Sequence, residues 1–141
     1  MSILDLFNSG EHSRNLSHFA NLAAVATSDE ALNADEIAML ERLARKLDIT
    51  QAEFEKVMED PFAYPIVASH ETERRYERLF DLFRMVYVDH KMDAQEKRLV
   101  QRYATGLGFG PDDADRLIAR STAIFEGRIS FEDYQYLLKS E

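Results

Sequence analysis

Apolar residues recur every three or four positions along the chain, the spacing that gathers them on one face of an α-helix. Leu16, Phe19, Ala20, Ala23 and Ala26 form a first stripe. Ile37, Leu40, Leu43, Ala44 and Leu47 form a second, after Asn33-Ala-Asp-Glu36, where Asn33 is placed to cap the helix and Glu36 to reach back to it. Thr50-Gln-Ala-Glu53 repeats this pattern and opens a short helix carrying Phe54, Val57 and Met58, which stops near Asp60-Pro61. Pro61 and Pro65 bracket Phe62-Ala-Tyr64, a linker with aromatic anchors.

The longest predicted helix runs from about His70 to Val88. Tyr76, Leu79, Phe80, Phe83 and Tyr87 lie on one face, and Leu82, Met85 and Val86 widen it, so it reads as a central helix covered on several sides. Leu99, Val100, Tyr103, Ala104 and Leu107 mark another helix ending near Gly108 or Gly110, and Pro111 suits the first turn of the next, with Leu117, Ile118, Ile124 and Phe125. Gly127 breaks the chain, and Ser130 caps a last helix at about 130–139 bearing Phe131, Tyr134 and Leu138. The pattern predicts an all-α single domain over 1–141, with about seven helices and no strand.

Sliding the sequence by 60 positions places Leu22 on Leu82, Asp29 on Asp89, Ala34 on Ala94, Glu36 on Glu96, Arg42 on Arg102, Ala44 on Ala104 and Leu47 on Leu107. These seven identities, free of gaps, compare with about two or three expected from average composition. The apolar pattern follows, with Leu40 on Val100, Leu43 on Tyr103 and Val57 on Leu117. Two related three-helix halves, about 12–60 and 70–126, are therefore expected to pack as one bundle.

Composition narrows the chemistry. Among 141 residues, 17 Lys and Arg face 26 Asp and Glu, a net charge of −9, which argues against phosphate-backbone binding and so against a nucleic-acid partner. Cysteine is absent, which removes disulfides, thiolate metal ligands and thiol nucleophiles, and fits a reducing, cytoplasmic setting. No run approaches the roughly 18 apolar residues of a membrane span, so no membrane insertion is expected.

In both halves the turn between the first two helices reads Asp, six residues, Glu: Asp29 to Glu36 and Asp89 to Glu96. Asn33 and Asp93 as N-caps, with Glu36 and Glu96 completing capping boxes, account for the glutamates. They leave Asp29 and Asp89 at helix C-termini, the unfavourable end of the helix dipole for a negative charge. A cation is the competing reading, and oxygen-only ligands select Ca²⁺ or Mg²⁺. An EF-hand is excluded, because a twelve-residue loop from Asp29 puts Leu40 where its bidentate Glu must stand.

The duplicated order of apolar helix, Asp, variable turn, Glu and apolar helix, from Leu22 to Leu47 and from Leu82 to Leu107, resembles the TerB-like family of bacterial tellurite-resistance and stress proteins. The resemblance covers roughly residues 12–126. It implies an all-helical fold of two related halves and a divalent cation held by Asp29, Glu36, Asp89 and Glu96. A similar domain on a membrane-anchored J-domain co-chaperone acts by association, which implies a protein partner here, with a homo-oligomer left open. Many relatives carry Asp-Gly where this chain has Asp29-Glu30 and Asp89-His90, with Lys91 beside the second.

Nothing in the chain points to catalysis or an organic cofactor. His70-Glu71-Thr-Glu-Arg74 has Arg where a helical zinc site needs its second His, and Gly106-Leu-Gly108-Phe-Gly110 has no strand before it. The runs Arg42/Arg45/Lys46 and Arg74/Arg75/Arg78 read as solvated faces paired with neighbours such as Glu41 and Glu71. Phe62, Tyr64, Tyr134 and Tyr136 are expected either at the bundle ends or in an exposed patch. The expected function is a non-enzymatic stress-response module that binds a cation through its acidic turns, or an interaction adaptor whose acidic turns are only caps.

Overall fold

The capping residues divide the chain much as their positions predict. The computed structural model describes residues 3–28, 32–68, 71–88, 92–126 and 131–139. Among them are seven α-helices and no strand: α1 (Ile3–Ala26), α2 (Ala34–Lys46), α3 (Gln51–Glu59), α4 (Thr72–Val86), α5 (Ala94–Leu107), α6 (Pro111–Glu126) and α7 (Phe131–Lys139), with a 3₁₀ turn at Pro61–Ala63. Asn33, Thr50 and Asp93 each make a complete capping box at the start of α2, α3 and α5. Gly127, Ser130 and His70 lie outside the described residues.

Two helices are central, where the apolar pattern predicts one. α4 packs against α1, α2, α5, α6 and α7, and α1 packs against α2, α3, α4, α5 and the 3₁₀ turn. α1 also begins at Ile3, well before its first apolar stripe. Phe19, Ala20, Leu22, Ala23, Ala24 and Val25 are all buried, so the C-terminal part of this helix is enclosed on every side, which a single stripe understates. Three side-chain pairs join α1 to α4: Glu11 with Arg74, Asn15 with Arg78, and His18 with Asp81. Both partners advance together in register, so the two helices run parallel.

Helix ends recur 60 residues apart. α1 and α4 end at Ala26 and Val86, α2 and α5 begin at Ala34 and Ala94, and α3 and α6 begin at Gln51 and Pro111. The exits from α2 and α5 match in detail: Ile49 N–H donates to Ala44 O at 2.9 Å and Phe109 N–H to Ala104 O at 3.2 Å. Such an exit needs one residue in the left-handed region. Gly108 (φ 121°) supplies it after α5, and Asp48 (φ 58°) after α2. At Gly106 the backbone closes on Ile66, whose Cβ would lie 2.9 Å from an added Cβ, so no larger residue fits without a shift.

The aromatic residues split two ways. Tyr134 is fully buried, its hydroxyl 2.6 Å from that of Ser121, and burial raises its pKa. Phe80 contacts Phe125, Phe131 and Tyr134, which ties α7 onto α4 and α6. Tyr64 packs against the core, whereas Phe62 and Tyr136 are exposed. No helix among the described residues is long and apolar enough to cross a membrane.

Candidate functional site

The two acidic turns carry the same capping geometry. Glu36 N–H donates to Asn33 Oδ1 at 2.8 Å, and Asn33 N–H donates back to Glu36 Oε1 at 3.1 Å. Glu96 and Asp93 reproduce both bonds at 2.8 and 3.1 Å. Both glutamates are buried, and Ile37 beside Glu36 is 40% exposed. The stripe predicted through Ile37 is corrected here, because the box turns Glu36 inward and Ile37 outward. Gln95 donates to Ser28 O at 2.7 Å, which sets the first turn of α5 beside the end of α1. Asp29 and Asp89 lie outside the described residues, as do His90 and Lys91. Among the described residues no group of three or more His, Asp or Glu is placed to hold a metal ion.

A second polar region lies where α1 and α4 run side by side. At its inner end His18 Nε2 donates to Asp81 Oδ2 at 3.1 Å, and Lys46 Nζ donates to Asp81 Oδ1 at 2.9 Å. Asp81 is 1% exposed. Burial acts to raise its carboxyl pKa, but the hydrogen bond from His18 and the Lys46 charge outweigh it and hold the group below its ordinary value. Burial lowers the pKa of His18, whose imidazole therefore stays neutral and donates through Nε2–H. The Lys46–Asp81 pair with the neutral His18 donor balances the buried carboxylate, with Lys46 reaching it from the surface, and it ties α1, α2 and α4 together.

Farther out, Arg78 Nη2 donates to Asn15 Oδ1 at 3.1 Å, while Arg78 Nη1 is buried and finds no acceptor among the described residues. Arg14 Nη2 and Arg74 Nη2 take the two oxygens of Glu11 at 3.1 and 3.2 Å. These groups border a cavity of about 360 Å³ lined by Glu11, Arg14, Val67, Ala68, Glu71, Arg74 and Arg78. The solvated face expected for Arg78 is thus corrected, whereas Arg74 and Lys46 keep 35% and 36% of their side chains exposed in ion pairs. Arg78 is 5% exposed, Arg75 donates to Gly108 O at 3.3 Å, and Lys46 reaches across to α4.

Sequence reasoning missed this region, although its phase was there. Arg78 and Asp81 each stand four residues before a member of the buried stripe, Leu82 and Met85. On α1 the spacing Glu11, Asn15, His18, Leu22 likewise carries polar residues in phase with the core. The 60-residue offset also pairs Glu11 with Glu71 and Arg14 with Arg74, so the cavity is lined by equivalent positions of the two helices. No protein family, curated protein or solved structure matches the chain.

Proposed function

We propose that this protein is a non-enzymatic, all-helical interaction module of TerB-like type, in which Glu36 and Glu96 serve as helix caps and function is exerted by association. The observation that supports this reading is the pair of capping boxes with the same hydrogen bonds: each glutamate has a structural task that needs no ligand. The expected stress-response role and a cytoplasmic location belong to the same proposal and rest on the resemblance alone.

The second reading, Ca²⁺ or Mg²⁺ held at Asp29/Glu36 and Asp89/Glu96, keeps one observation in its favour. Both glutamates are buried carboxylates at equivalent places, 7% and 3% exposed. Thermal melting of chelated protein with and without millimolar cation separates the two, since a ligand bound only by the native state raises the melting temperature. The adaptor reading expects no change. A rise of several degrees, lost in Glu36→Gln and Glu96→Gln, overturns it in favour of the cation.

A further inference from the structure

The cavity between the starts of α1 and α4 has the opposite electrostatic character to the rest of the chain. Across a protein of net charge −9, its lining gathers Arg14, Arg74 and Arg78 against Glu11 and Glu71. Arg78 is nine-tenths buried with one nitrogen that finds no acceptor among the described residues, an arrangement costly to maintain unless an acceptor arrives. Arg14 and Arg74 converge on the single carboxylate of Glu11, as they would on a bound oxyanion. Glu11 is 37% exposed, and among the described lining residues three guanidiniums stand against the two carboxylates of Glu11 and Glu71, an excess of one positive charge that favours an incoming anion. Val67 and Ala68 give the cavity an apolar wall, and 360 Å³ lies within the range of small-molecule sites.

We propose that this cavity binds a small organic phosphate, with its phosphoryl group among Arg14, Arg74 and Arg78 and its carbon portion against Val67 and Ala68. Glu11 acts as an internal competitor that holds Arg14 and Arg74 in place and yields them to the ligand. The site is independent of the acidic turns, so it stands whichever reading of those turns holds.

The test is calorimetric titration with inorganic phosphate and with glycerol 3-phosphate, at ionic strength held constant with chloride. Saturable binding of both is expected, tighter for glycerol 3-phosphate. Arg74→Gln, at a half-exposed position that spares the core, should weaken binding at least about 10-fold, the loss of one charge-assisted contact. Glu11→Gln should tighten it about threefold or more, a gain that a merely structural role for Glu11 does not produce. The proposal is overturned if neither ligand saturates by about 10 mM, or if Arg74→Gln and Glu11→Gln leave the affinities where they were.

Discussion

Two stretches of the molecule 60 residues apart agree at the turns before α2 and α5 and differ along α1 and α4, the helices that precede those turns. The capping boxes at Asn33–Glu36 and Asp93–Glu96 share the same bonds, and the helix exits at Asp48 and Gly108 share the same backbone sense. At the inner end of the α1–α4 contact the equivalent residues diverge. His18 stands opposite Arg78 in the alignment of the halves, Asn21 opposite Asp81, and Lys46 opposite Gly106. Turn chemistry is therefore kept where it only has to end and begin helices. Charge is varied along the contact between the halves, where a polar group must find a partner on a different helix.

The contact should be the more fragile region. Asp81→Ala leaves the buried His18 donor without an acceptor and Lys46 with only the longer contact to Glu77, and we expect a loss of about 3 kcal/mol, read from the urea midpoint. A loss under about 1 kcal/mol means that the cluster contributes little and that the contrast between turns and contact is false.

Acid should act on the contact before the turns. The pKa of His18 lies below its ordinary 6.5, so the unfolded chain takes up a proton that the folded one refuses. The stability from neutral His18 is complete above pH 6.5 and is lost as pH falls from there through the folded-state value. Asp81, Glu11 and Glu53, also lowered, withdraw theirs below about pH 4.5. Denaturation across pH should show a first decline beginning near pH 6.5, and His18→Gln should remove that step alone. If the step persists in the variant, another histidine is responsible.

The smaller effects lie at the turns. Asp48→Gly gives the exit of α2 the residue that already serves after α5, and should stabilise by about 1 kcal/mol, seen as a higher melting temperature. Glu36→Gln and Glu96→Gln keep the side-chain oxygen that accepts from the cap N–H. Each should cost no more than about 1 kcal/mol, and by similar amounts in the two halves. Unequal costs would break the equivalence of the turns.

This same contrast explains what was legible in the sequence. Caps, stop signals and apolar stripes act within a few residues of one another, so Asn33, Thr50, Asp93, Gly108 and the core positions Leu40, Leu43, Val100 and Tyr103 could be placed from spacing alone. The pairing of His18 with Asp81, or of Arg74 with Glu11, joins residues 63 positions apart, and no local pattern names the partner. Ile37 and Glu36 exchanged their expected places because the bonds of a capping box outweighed the hydropathy of two adjacent residues. Arg78 has the residue type of a surface charge, but its phase with Leu82 places it inside.

The central claim is that the acidic turns are finished structures rather than sites awaiting a cation. Its most direct test is a two-dimensional ¹H–¹⁵N NMR titration of metal-free protein with Ca²⁺ and then Mg²⁺. The account predicts that the backbone amides of residues 33–37 and 93–97 stay in place through millimolar cation. Saturable shifts at both turns, abolished by Glu36→Gln and Glu96→Gln, would contradict it.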